Sequence, residues 1–326
     1  MVRRLSKRIL FWTATGLIVA VVLAAIPYLR EIDRAYERIR EKGNVVASPY
    51  GDIEYTETGS GPVVLVIHGS GGGYDQGELI AQAVLGRQFH TITPSRFGYL
   101  RSTFHAAATW DDQAHAYAYL LNHLGAKKVA VVAMSHGCPS ALHFAILHPE
   151  QLSSLTLISC GVVPSSTSDL RAAAKKGELL TAIFKYDLPY WAITRLFKKQ
   201  PTELIGANKA VIADLTSAQR QFIGRFIDYM NPASMRSAGI AFDMKTALPG
   251  KKIAAITAPT LIFHAIDDTL QLYHNAEFAS SIIPDAKLAR FEKGGHVLIV
   301  TEQSAVRTAL QRHILDNMSD IPPRGL

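Results

Sequence analysis

The stretch Val129-Ala-Val-Val-Ala-Met-Ser135-His-Gly-Cys-Pro-Ser-Ala-Leu142 constrains this chain more than any other. A β-branched run stops at a serine, and Gly137, Pro139 and a helix-compatible segment follow at once. That pattern predicts a strand, a sharp turn and a helix. Ala133 and Gly137 flank Ser135 at the spacing of G-x-S-x-G, where small neighbours let the backbone turn tightly enough to present a hydroxyl. The first glycine of that motif is alanine here, still a small residue. Read alone, the stretch also fits a serine that merely forms a turn or caps a helix.

Other strand ends carry further chemistry. Val63-Val-Leu-Val-Ile67 reads as a central strand covered on both faces, and it runs into His68-Gly-Ser-Gly-Gly-Gly73. The spacing fits neither G-x-G-x-x-G nor a P-loop, and no Lys-Ser or Lys-Thr follows. A flexible loop is one reading. The other is a loop whose missing side chains let a backbone N–H approach developing negative charge. Asp267 and Asp268 follow the strand Pro259–His264, and His296 sits in Lys293-Gly-Gly-His-Val297 after the strand Lys287–Phe291. Serine needs a base to become a nucleophile, and the base needs an orienting carboxylate, so Ser135, His296 and one of the two aspartates form a candidate set. His136 is expected to contribute its backbone N–H rather than its ring, and His143 and His148 fall on or at the end of the following helix.

The remaining chain alternates strand and helix. Val45–Tyr50 and Asp52–Thr58 read as strands, Asp75–Arg87 as a helix, and Phe89–Thr93 as a strand. Thr109 with Asp112 three residues on predicts a capping box opening a helix to Leu124. Leu155–Cys160 reads as the next strand. Alternation of this kind gives a mostly parallel, doubly wound sheet. It breaks between Ser165 and about Lys245, where only helical segments are expected: Leu170–Phe184, Tyr190–Lys199, Thr202–Ala213 and Ser217–Met230. It returns with Pro259–His264, a helix over Tyr273–Ile283, the strand Lys287–Phe291 and a closing helix from Val297 to Met318. The expected organisation is a core of residues 44–164 and 246–320 with a helical cap of residues 165–245.

These motifs resemble the α/β-hydrolases with a helical cap, from about Val45 to Asn317. The residues carrying the resemblance are His68-Gly-Ser-Gly-Gly, Ala133-Met-Ser-His-Gly137, Ala265-Ile-Asp-Asp268 and Gly295-His296. The family's G-x-x-D acid segment maps onto Ala265–Asp268 and selects Asp268 over Asp267, with Asp243 the next acid if neither serves. The resemblance implies Ser135 as nucleophile and His296 as base. It implies oxyanion donors in the backbone N–H groups of His136 and Ser70, with Gly71 in reserve. It also implies acyl transfer without a metal or organic cofactor, and neither His-Glu-x-x-His nor Cys-x-x-Cys is present. Serine at the turn is similar to esterases, lipases and C–C bond hydrolases. The apolar, aromatic cap favours an ester with an apolar acyl group; cleavage beside a ketone and a non-catalytic ligand-binding protein are the alternatives.

The net charge of +7 owes more than half to Arg3, Arg4, Lys7 and Arg8, so it gives no reason to expect a nucleic-acid partner. No charged residue occurs from Ile9 to Leu29. That run, after the basic residues 1–8, is expected to be an uncleaved transmembrane anchor over residues 9–29, with a polar linker at 30–43. A signal peptide cleaved near Ala24 or Ala25 is the alternative. Either places the enzyme domain beyond a membrane, with the N-terminus of the anchored form in the cytoplasm. The two cysteines, Cys138 and Cys160, are expected to be buried free thiols, with a single disulfide as the alternative.

Overall fold

A computed structural model describes residues 2–163, 178–196, 206 and 209–318. The chain separates into two compact units, Met1–Arg40 and Glu41–Leu326. The first holds one helix, α1 (Val2–Ile39), which continues through Pro27. Among the described residues no helix is long and apolar enough to cross a membrane. This overturns the expected anchor over residues 9–29, the membrane as a partner, and the location beyond a membrane read from it. The uncharged run is not a span of its own. It is one part of a 38-residue helix that carries Arg30, Asp33, Arg34, Glu37 and Arg38 in its later turns. Thr13, Thr15 and Gly16 also interrupt it, and Thr15 Oγ1 bonds back to the Phe11 carbonyl at 2.9 Å.

The second unit is built on an eight-stranded sheet. Its strands are β1 (Asn44–Val46), β2 (Ile53–Thr58), β3 (Val63–Ile67), β4 (His90–Pro94), β5 (Val129–Met134), β6 (Leu152–Ile158), β7 (Thr260–Ala265) and β8 (Lys287–Phe291). They lie in the order β1-β2-β4-β3-β5-β6-β7-β8. The first two pairings, β1 with β2 and β2 with β4, are antiparallel; all the others are parallel. The first strand is only three residues long, shorter than its apolar sequence suggested.

Alternation along the strands divides the core into two layers. Leu65, Ile67, Val131, Ala133, Leu155 and Leu157 pack with α3 (Trp110–His123) and α4 (Cys138–Leu147). Val64, Val66, Ala130, Val132 and Phe263 face the other way, toward α2 (Tyr74–Val84). Both faces of β3 and β5 are therefore covered, which explains their unbroken apolar sequences. The expected capping box is present: Thr109 accepts from the Asp112 N–H, and the Asp112 carboxylate accepts from Thr109 N.

Between β6 and β7 the described residues are helical and turn segments without a strand: Leu180 and its neighbours, α5 (Asp187–Leu196), α6 (Lys209–Asp214), α7 (Ser217–Asp228) and α8 (Ser237–Lys245). Most of the segment expected over Leu170–Phe184, and the first part of Thr202–Ala213, lie outside the described residues. Helix α8 was not anticipated. After β7 come α9 (His274–Ile282) and, in place of a single closing helix, α10 (Leu298–Thr301) and α11 (Gln303–Asp316), separated at Glu302.

Candidate active site

The strand β5 ends at Met134, and Ser135 takes a left-handed backbone conformation, φ 54°, before a tight turn leads into α4. A non-glycine residue holds that conformation only where its surroundings enforce it. Gly137 is enforced as well: a Cβ there would lie 2.4 Å from the His68 carbonyl oxygen. The turn thus passes directly against the end of β3. Ala133, the motif's altered glycine, is fully buried in β5 opposite Ile67 and Leu157, where a methyl group fits.

His296 arrives from the loop after β8. Its Nε2 is 2.9 Å from Ser135 Oγ, and its Nδ1 is 2.8 Å from Asp268 Oδ2. The carboxylate accepts from Nδ1–H, which leaves Nε2 free to accept the serine proton. Asp268 is itself anchored, since its Oδ1 accepts the N–H groups of Leu270 and Gln271 at 2.8 and 2.9 Å. Burial pushes this carboxyl up, but the facing His296 and the Gln271 N–H outweigh it and hold it below the ordinary carboxylate range. Asp267 does a different job, accepting the Gly295 N–H at 2.8 Å and so pinning the loop that carries His296. A second imidazole, His264, lies 3.7 Å from Asp268 and bonds the Gln271 carbonyl at 2.7 Å. Burial keeps His264 below its ordinary pKa, in the neutral form.

The other candidates are distributed as follows. In the glycine loop, Gly69 packs on the serine, with its Cβ position 3.1 Å from Ser135 Cβ. Ser70 Oγ donates to Asp243 at 2.7 Å. Gly71 has φ 74°, and its Cβ position meets Met230 Sδ and the Phe184 ring at 3.3 and 3.4 Å. The His136 ring turns toward Gln271, with Nδ1 3.5 Å from Gln271 Nε2. His143 pairs with Asp111, and His148 bonds His115, so both are engaged elsewhere. Asp243, the reserve acid, is held in a bidentate ion pair with Arg96 rather than against His296. An apolar cavity of about 30 Å³ adjoins His296, lined by Met134, Ile223, Phe226, Val297, Ile299 and Val300.

Three features were not decided by sequence reasoning. Cys138 and Cys160, left open between buried free thiols and a single disulfide, form the disulfide. The reason is register: Met134 pairs with Ile158, so the residues just beyond β5 and β6 emerge side by side, with Cα atoms 5.7 Å apart. The Arg96–Asp243 pair was also invisible, because its members are 147 positions apart. The third is Gly206, whose carbonyl accepts the His296 N–H at 3.1 Å and whose Cβ position would lie 2.6 Å from His296 Cβ. No local signal marks it beyond its being glycine.

Comparison with known proteins agrees with this architecture. A hydrolase of Bacillus subtilis described as uncharacterized is 28% identical over 265 residues, covering 78% of this chain and 92% of that protein. The esterase of Thermogutta terrifontis superposes with a TM-score of 0.66 at 19% identity, over 84% of this chain and 99% of its own. A meta-cleavage product hydrolase gives a TM-score of 0.61 at 18% identity, over 84% of this chain and 98% of its own. At such identities the two structures speak for the fold alone. The family description that matches residues 62–303 is that of the alpha/beta hydrolase fold; the match runs from β3 through β8 and includes the serine turn and the histidine loop, and the chain belongs to that family.

Proposed function

We propose that this hydrolase cleaves carboxylic esters with a small apolar acyl group, using Ser135 as nucleophile, His296 as base and Asp268 as its orienting acid. The observation that carries the reading is the position of one imidazole between a serine hydroxyl at 2.9 Å and a buried carboxylate at 2.8 Å. Ser135 Oγ attacks the ester carbonyl carbon while its proton passes to His296 Nε2, and Asp268 stabilises the imidazolium. The carbonyl electron pair becomes an oxyanion, received by the backbone N–H groups of Ser70 and His136, with Gly71 adjoining. Collapse of the intermediate expels the alcohol, which takes the proton from His296. Water then attacks the acyl-enzyme with the same base.

The acyl preference rests on the lining. Met134, Ile223, Phe226 and Val297 surround the space beside His296, and Phe184 and Met230 stand over Gly71. A cavity of about 30 Å³ has room for small groups only. Short acyl groups therefore fit without rearrangement, and longer ones require the helices over the site to move. In this reading residues 165–245 act as a cap on a body formed by 44–164 and 246–320. The test is turnover of a series of aryl esters from acetyl upward, with a 1,5-diketone as competitor chemistry. Ser135→Ala is expected to fold and to lose hydrolysis down to the small residual supplied by binding and the oxyanion site. Full activity in that variant, or faster cleavage of the diketone than of any ester, would overturn the reading.

A further inference from the structure

The loop His68–Gly73 contains a buried assembly that the proposed chemistry does not itself use. Asp243, at the end of α8, is fully enclosed and accepts from four donors: Arg96 Nη1 at 2.6 Å, Arg96 Nη2 at 2.8 Å, Tyr99 Oη at 2.6 Å and Ser70 Oγ at 2.7 Å. The same guanidinium donates through Nε to the His68 carbonyl at 3.0 Å and through Nη2 to the Gly69 carbonyl at 3.2 Å. The Gly69 carbonyl also accepts from His68 Nδ1–H at 2.7 Å, while His68 Nε2 accepts the Arg96 N–H at 3.0 Å. A second pair, Arg236 with Asp75 at 2.9 Å, grips the far end of the loop, and Arg236 also bonds the Gly72 carbonyl. Arg236 and Asp243 both belong to the return segment 234–245.

We infer that Asp243 and Arg96 are positioning residues for the oxyanion site, acting through the Ser70 side chain and the Gly69 carbonyl. In a trans peptide the C=O and the following N–H point in opposite directions. Holding the Gly69 oxygen on Arg96 therefore turns the Ser70 N–H away from the guanidinium. The loop's other neighbour is the serine turn, with Gly69 packed on Ser135. Ser70 is then fixed from two sides, by the carbonyl before it and by its own hydroxyl on Asp243. The pairing also answers an electrostatic problem. A lone carboxylate bonded to the hydroxyl of the residue whose N–H is the proposed oxyanion donor would oppose negative charge there, and Arg96 pairs with it at contact distance.

This inference rests on the ester-hydrolase reading, and the experiment separates the two. Wild type, Ser70→Ala, Asp243→Asn and Ser135→Ala, all as the full chain, are compared on one short ester and with an alkyl trifluoromethyl ketone. Ser135 Oγ adds to that ketone's carbonyl carbon, its proton goes to His296, and the carbonyl pair becomes an oxyanion, so its affinity reads the oxyanion site directly. Ser70→Ala keeps every backbone N–H and is expected to lose about tenfold in kcat, less than the 10²–10³ for outright loss of a donor. The same factor should appear in affinity for the ketone, with KM within twofold and Tm unchanged. Asp243→Asn should act in the same direction and more strongly. If Ser135→Ala is inactive but Ser70→Ala matches wild type in kcat and ketone affinity, the inference falls while the hydrolase reading stands. If Ser70→Ala lowers Tm and raises KM in proportion to its loss of kcat, the role is structural and the inference also falls. An active Ser135→Ala would remove both.

Discussion

Two buried aspartates flank the serine turn, and their partners differ. Asp268 faces an imidazole, His296, whereas Asp243 faces a guanidinium, Arg96. Burial raises the carboxyl pKa at both sites, and at both a cationic or donor partner brings it back below the ordinary range. An imidazole can take up and return a proton at neutral pH; a guanidinium cannot. One arm can therefore move charge and the other can only hold shape. A neutral buried histidine backs each arm, His264 behind Asp268 and His68 behind the glycine loop.

The strongest way to break this comparison is at the proton-moving arm. Asp268→Asn should lower turnover by up to about 10⁴-fold, with KM changed far less, because the acid touches the base and not the ligand. Asp267→Asn should be much milder, since Asp267 pins the Gly295 N–H while the imidazole Nδ1 is held by Asp268. Steady-state kinetics of both variants, with circular dichroism for folding, decide this; a severe Asp267→Asn beside a mild Asp268→Asn would reverse the assignment.

At the shape-holding arm stability is at stake as well as turnover. Asp243→Leu alone strands a buried guanidinium and should cost about 3–5 kcal/mol in urea unfolding. Adding Arg96→Met to it should recover much of that loss, because the uncompensated charge is gone. A double variant no more stable than the single one would mean that the hydrogen bonds to His68 and Gly69, not the charge, carry the stability.

The disulfide sharpens the contrast, since it staples the start of α4 to the end of β6 and nothing covalent braces the glycine loop. With its cysteines 22 positions apart, removing it by Cys138→Ala with Cys160→Ala should cost about 3 kcal/mol. Unchanged unfolding midpoints would contradict the bond.

The smallest effect expected is a pH dependence of stability. Burial, then the charge of Arg96, hold His68 well below the ordinary imidazole value of 6.5, and burial lowers His264, His148 and His313 as well. A depressed pKa means that the unfolded chain binds protons the folded one does not. Stability should thus be complete above about pH 6.5 and decline as pH falls, by up to roughly 1.4 kcal/mol per pH unit for His68 and for His264, and by less for the more exposed His148 and His313, where solvent screens the effect. Asp243 and Asp268 add their loss only below their ordinary value of 3.8. Urea midpoints between pH 8 and 4 measure the first window, and a flat profile there would mean that these imidazoles titrate normally.

Much of this was legible in the chain. Strand and helix alternation follows from local periodicity, because a residue's face is set by its own neighbours in sequence. Ser135 with Gly137, and His296 between glycines and a following apolar run, carry local signatures for the same reason: a backbone forced into a tight turn needs small residues beside it. The choice of Asp268 over Asp267 came from the resemblance, whose G-x-x-D segment maps onto Ala265–Asp268. The apolar run from Ile9 to Leu29 misled, because a missing charge over twenty residues was read as a membrane span when the helix it belongs to extends into charged turns.

What only the tertiary structure decided is what meets across the sheet. The pairing of Met134 with Ile158 brought two cysteines into bonding distance, and their burial and number alone could not. Packing of α8 against the glycine loop joined Asp243 to Arg96, Tyr99 and Ser70, and it changed a reserve catalytic acid into the partner of a fixed cation. A side chain's chemistry is written in the sequence, but its protonation and its work depend on which charges lie within a few ångströms, and those came from residues as many as 173 positions away.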